Sequence, residues 1–202
     1  MQRRRNPSQR RSQERVELIL ASTAEILRKQ GIGAVTTNSI AAEAGIPVSS
    51  IYQYFPSKVA ILGALYEQYL AGIVTVIDAF ATPGRLQQQP WEEFLTAFTR
   101  VIFQQETRAR IDRELWSALS LFPQLGELES AHRARMADRI ADILRQLGST
   151  WSRPRLRRIG MFIYELNNAV WNYRASYRAP ARDYLEWATA AVLGVVSKCM
   201  PG

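Results

Sequence analysis

The sequence predicts an all-α protein: an N-terminal three-helix domain containing a helix-turn-helix, then a larger helical domain. Three observations carry this. Every long periodic segment repeats its apolar residues at the helical interval. No two alternating segments read as a convincing strand pair. Between residues 36 and 58 the chain runs TTNSIAAEAGIPVSSIYQYFPSK, with Ala41, Gly45 and Ile51 four and six residues apart, the spacing of two short helices crossing through a tight turn.

The elements follow in order. Val16, Ile19, Leu20, Thr23 and Leu27 fall at i, i+3, i+4, i+7 and i+11, and Gly31 then supplies a stop. Thr36 or Thr37 caps a second helix through its side-chain oxygen, Gly45 ends it where positive φ is needed, and a third runs from about Pro47 to Phe55. Ser57 caps a long fourth helix, marked by Leu62, Leu65, Tyr66, Tyr69, Ile73, Ile77 and Phe80, as far as the break at Thr82, Pro83 and Gly84. Beyond Pro90, further helical faces comprise Trp91, Phe94, Leu95, Phe98, Val101 and Ile102, then Ile111, Leu115, Trp116 and Leu119, then Met136, Ile140, Ile143, Leu144 and Leu147 before Gly148. In the last two helices Leu156, Ile159, Ile163, Leu166, Val170, Tyr173 and Tyr177 step by three and four, and Leu185, Ala188, Val192, Val195 and Cys199 do so after Pro180. Such seams suit an antiparallel pair.

The expected domains are a disordered basic arm at 1–14, a helix-turn-helix domain at 15–57 and a larger helical domain at 58–202. The arm holds Arg3, Arg4, Arg5, Arg10 and Arg11, and Arg15 adjoins it, against Glu14 alone. The formal charge of +8 and pI near 10.1 favour polyanionic partners. Cys199 is the only cysteine, which points to a reducing cytoplasm. No apolar run is expected to span a membrane.

In the helix-turn-helix, Ile40, Ala44, Ile46 and Ile51 face inward, leaving Thr37, Asn38, Val48, Ser49, Ser50 and Gln53 outward. That outward set is small or hydrogen-bonding, as suits a DNA major groove. Thr36-Thr37, Ile40-Ala41, Ala44-Gly45-Ile46, Tyr52-Gln53-Tyr54-Phe55 and Ser57-Lys58 together resemble the TetR family of transcriptional regulators, over roughly the first quarter of the chain. The resemblance implies base contacts by Val48, Ser49, Ser50 and Gln53, and phosphate contacts by Thr37, Tyr52, Tyr54 and Lys58. Asn38 is placed to reach either. Gln53 can pair in bidentate fashion with adenine. Pro47 stands where many relatives have Ser, and Val59 replaces a frequent acidic residue.

The resemblance also implies a homodimer and a small-molecule effector. The last two helices carry apolar residues off the seam, Phe162, Trp171, Trp187 and Val196, and so have a second surface to bury. The expected subunit contacts are Ile163, Val170, Ala188, Val192 and Val195. Phe98, Trp116, Met136, Tyr164, Asn167, Asn168 and Trp171 supply the aromatic and amide character a pocket requires. Of these, Asn168 is the more diagnostic, because a buried amide needs partners.

Enzyme chemistry finds no support. His132 is the only histidine, no phosphate-binding glycine pattern occurs, and one Cys with one His cannot build an ordinary zinc site. No cofactor or metal is expected. The function expected is that of a sequence-specific regulator of transcription, most simply a repressor released by ligand, with an activator or a non-specific architectural DNA binder as the alternatives.

Overall fold

The computed structural model describes residues 7–108, 118, 121–177 and 180–201. Every regular element among them is helical: α1 (Pro7–Gln30), a 3-10 turn (Ile32–Ala34), α2 (Thr37–Ala44), α3 (Val48–Tyr52), α4 (Lys58–Phe80), α5 (Pro83–Gln88), α6 (Trp91–Arg108), α7 (Pro123–Gln146), α8 (Arg153–Tyr177) and α9 (Ala181–Val196). The chain divides into two compact units, Met1–Tyr69 with Arg110–Leu128, and Leu70–Ala109 with Glu129–Gly202. Both units draw residues from α4.

In the first unit α1 packs on α2, and α2 on α3. Ile19, Leu27, Val35, Ile40, Ile51, Ile61 and Leu62 are fully buried there. Each such side chain stabilises the fold by about 1.5–3 kcal/mol relative to exposure. Thr23 is buried as well, and its hydroxyl donates to the Ile19 carbonyl at 2.7 Å, so the polar atom is satisfied within its own helix.

The second unit is built on Ile77, Leu86, Phe94, Leu95, Met136, Ile143, Leu144, Leu156, Ile163, Val192 and Val196. A satellite cluster joins Phe103, Tyr184 and Ala188. α9 packs on both α6 and α8. α7 and α8 are antiparallel: Arg153 lies 3.4 Å from Asp142, Arg157 3.1 Å from Asp138, and Arg133 2.8 Å from Glu165. Their backbones meet at Gly160, where an added Cβ would stand 2.5 Å from the Ala137 carbonyl oxygen.

Four boundaries differ from expectation. α1 begins at Pro7, so residues 7–14 of the expected arm are helical, and the rest of it, 1–6, lies outside the described residues. That stretch has no apolar residue to mark a period, yet proline suits a first helical position, and Arg10 pairs with Glu14 one turn on at 2.8 Å. α3 is shorter than expected, although Gln53 keeps helical dihedrals beyond its end. α5 is an additional helix, opened by Pro83 at a position where proline is tolerated. α7 starts thirteen residues before Met136, at Pro123, through a polar stretch whose period is weak.

α4 also differs. By length and composition it is long and apolar enough to cross a membrane. Packing accounts for part of that apolarity, since Ile61, Leu62, Leu65, Tyr66, Leu70 and Ile77 along it are buried. The expected helix around Ile111, Leu115, Trp116 and Leu119 lies outside the described residues.

Candidate functional site

The turn between α2 and α3 is set by local chemistry. Thr36 caps α2: its hydroxyl accepts the Ser39 amide at 3.0 Å, while the Ser39 hydroxyl accepts the Thr36 amide at 2.9 Å. Gly45 ends the helix in the left-handed region at φ 63°, and the Ile46 amide reaches back to the Ala41 carbonyl at 3.0 Å. Space does not select this glycine, because nothing lies within 4 Å of an added Cβ. The positive φ does. Ala41 is buried, and Pro47 opens α3 without a side-chain cap.

This geometry brings the expected DNA-facing residues onto one small domain. Asn38, Ser49, Tyr52 and Gln53 are exposed; Thr37, Val48, Ser50 and Tyr54 are half-buried. The Thr37 and Tyr52 hydroxyls lie 3.3 Å apart, coupling the start of α2 to the end of α3. Ser57 accepts the Ala60 amide at 3.3 Å and so caps α4. Lys58 is half-buried, with its ammonium 5.5 Å from the centre of the Phe122 ring. Glu43 is the only acidic residue between Thr36 and Lys58, and it sits 3.9 Å from Lys29. On the rim of α1, Glu25 pairs with Arg28 and with Lys29, and the Arg28 hydrogen bond above all holds its carboxyl down at about 2.

The second unit holds a different kind of site. The Tyr164 hydroxyl donates to a Glu129 carboxylate oxygen at 2.7 Å, and Asn168 bonds the same tyrosine. Burial first, and then the Glu129 charge, push the Tyr164 phenol well above its ordinary range. Glu129 is 6% exposed and His132 1%. The His132 ring stands edge-on to Tyr164, centroids 5.9 Å apart. Burial, with the Arg135 charge second, lowers its pKa to about 4, so the imidazole is uncharged at neutral pH. Among the described residues, His132 Nδ1 and Asn167 Oδ1 are buried without a hydrogen-bond partner.

Of the expected pocket residues, Tyr164 and Asn168 therefore belong to a polar cluster. Phe98 stacks on Phe94 at 5.7 Å, Met136 is buried in the main core, and Trp171 is half-buried on α8. Trp116 lies outside the described residues. Glu129 and His132 were absent from the expected pocket. With α7 extended back to Pro123, Glu129, His132 and Met136 fall on one helical face, and that spacing is the signal that could have found them. A separate open cleft of about 460 Å³, lined by Thr96, Arg100, Arg182, Leu185, Thr189 and Leu193 among others, includes none of the expected residues.

The expected subunit contacts divide by burial. Ile163, Ala188 and Val192 are buried within one chain, against its own core, and leave no surface for a partner. Val170 and Val195 are half-buried. The exposed apolar surface of α8 and α9 comprises Phe162 (56% exposed) and Trp187 (54%) off the seams, with Tyr173 and Tyr177 (72%) at the far end of the α8 seam. Tyr173 is 4.8 Å from Tyr177 and 6.1 Å from Trp187 between ring centres.

A capped helix, a glycine turn and a short second helix with exposed hydrogen-bonding residues define a helix-turn-helix DNA-binding module. Residues 19–65 match the family described as bacterial regulatory proteins, tetR family, so the N-terminal domain of this chain is similar to that family. Solved structures extend the fold over nearly the whole chain. A TetR transcription regulator from Haloarcula marismortui superposes with a TM-score of 0.76 at 14% identity, over 94% of this chain and 100% of its own. A TetR-family transcriptional regulator from Streptomyces coelicolor gives 0.62 at 19%, over 92% and 99%. The multidrug binding protein EbrR, complexed with imidazole, gives 0.67 at 17%, over 100% and 95%. No curated protein sequence is significantly similar.

Proposed function

We propose that this DNA-binding regulator is a cytoplasmic homodimeric repressor, released from its operator by a small molecule held in the second unit. One observation carries the ligand-responsive part: that unit buries two polar atoms, His132 Nδ1 and Asn167 Oδ1, that are left unmet by the chain itself. A protein that gains nothing from those groups when empty has reason to keep them for a ligand. EbrR, of similar fold, is described as multidrug binding, which supports the same reading.

In this proposal Tyr164 and Asn168 give the pocket its polarity, and Phe98, Trp116, Met136 and Trp171 give it apolar walls. Val48, Ser49, Ser50 and Gln53 read bases, Asn38 reaches a base or the backbone, and Thr37, Tyr52, Tyr54 and Lys58 hold phosphates. The off-seam aromatics, with Val170 and Val195 beside them, meet a second copy. A two-fold dimer presents two reading heads to half-sites about 34 Å apart, one turn of DNA. Ligand acts by favouring a state whose heads no longer suit both half-sites, and the shift equals its differential affinity for the two states.

A reporter driven through the selected operator tests the role. Repression by the chain, relieved by an effector, is the expected result. Activation of the reporter by the chain would make it an activator, and a reporter unmoved in either direction would remove the regulatory role at that site.

A further inference from the structure

The two unmet atoms lie on facing helices. His132 sits on α7, and Asn167 on α8 one turn beyond Tyr164. The antiparallel register of the Arg133–Glu165 and Glu129–Tyr164 pairs sets Asn167 at the level of Glu129. Glu129 and Tyr164, which meet His132 between the two helices, add oxygen acceptors to them. Asn167 Oδ1 can only accept; the Glu129 carboxylate accepts; the Tyr164 oxygen has already given its proton to Glu129. The imidazole is uncharged, so one of its nitrogens is an acceptor too. Met136, one turn along α7 from His132, and Trp171, one turn along α8 from Asn167, place apolar surface beside this polar end.

We propose that Glu129, His132, Tyr164 and Asn167 form the recognition end of an effector site that takes a small molecule carrying N–H donors on an apolar body. This rests on the ligand-responsive reading above and adds its chemistry. An anionic ligand would set its charge against the Glu129 carboxylate and would leave both unmet acceptors unmet. With the imidazole proton on Nε2, two N–H groups in one ligand satisfy both unmet atoms at once.

Calorimetric titration of the full chain with three probes on one aromatic frame tests this: phenylguanidine, phenylurea and benzoate. The first two are expected to bind and benzoate is not. His132→Phe and Asn167→Leu should each weaken phenylguanidine binding about tenfold or more, while leaving the ligand-free melting temperature equal to or above that of the natural chain, because each removes a buried polar atom that has no partner. Should His132→Phe fail to fold, Asn167→Leu, at a half-buried position, decides alone.

Binding of benzoate as tight as that of phenylurea, no binding of either N–H probe, or undiminished binding by Asn167→Leu would each overturn the assignment. The titration contains no DNA, so it separates the two claims. A chain that binds the N–H probes yet stays on its operator keeps this site and loses the ligand-release reading. A chain freed from DNA by another compound yet blind to these probes does the reverse.

Discussion

Gln53 follows directly on α3, exposed, with an amide that can both donate and accept. Replacing it by Ala is expected to lose about 1–3 kcal/mol, concentrated at one base pair of each half-site. An equal loss across substituted operators would show that Gln53 does not read a base. Lys58 poses a finer question, because its ammonium lies over Phe122. Lys58→Ala should weaken binding to all sequences alike and reduce the salt slope by about one unit, measured by fluorescence anisotropy over a range of salt. An unchanged slope would leave the lysine with its aromatic partner and no phosphate. Two glycines give opposite expectations by mechanism. Gly45→Ala meets open space but a left-handed backbone, costing about 1–2 kcal/mol. Gly160→Ala meets the Ala137 backbone itself and should cost more, as a lower melting temperature. His132 gives a pH dependence. Its folded pKa of about 4 lies below the ordinary 6.5, so the unfolded chain takes up the proton first as pH falls. The stability is fully present above about pH 6.5 and is lost toward pH 4, by about 3 kcal/mol at most. Arg135 on its own helix opposes the proton as well, Glu129 and Arg133 lie on that helix too, and Tyr164 faces the ring from α8. Denaturant midpoints between pH 7 and 4 should fall less steeply in His132→Phe, and equal slopes would contradict this origin.

At the scale of elements, legibility in the sequence tracked apolar period and turn chemistry. The glycine stops at Gly31, Gly45 and Gly148 were readable because each ends a periodic run, and all three adopt positive φ. The first turn of α1 and the first half of α7 were not readable, because their residues are charged or small and their helicity comes from continuity with a well-packed helix. The polar cluster was half legible for the same reason: Tyr164 and Asn168 sit in a strong period, whereas Glu129 and His132 sit where α7 shows none. A regular seam and a subunit interface look alike in one dimension. Burial separates them. Val192→Asp should now unfold the second unit, as an unpaired charge in the core, whereas Trp187→Glu should leave it helical and shift the chain to monomer. Circular dichroism with sedimentation velocity reads both, and an intact dimer in Trp187→Glu would take that aromatic out of the interface.

For the whole molecule, the net charge of +8 supplies attraction to any nucleic acid, and the question is whether the helix-turn-helix adds sequence preference to it. Single heads reading a few base pairs each gain affinity when linked as a dimer, because the second engagement is intramolecular. The most direct test is selection of bound duplexes from a random pool by the natural chain at near-physiological salt. A two-fold-symmetric motif, its half-sites about one helical turn apart, is the predicted result, with Gln53→Ala relaxing one position in each half. A pool that stays random after repeated selection, bound with an affinity set by salt alone, would contradict sequence-specific recognition by this domain.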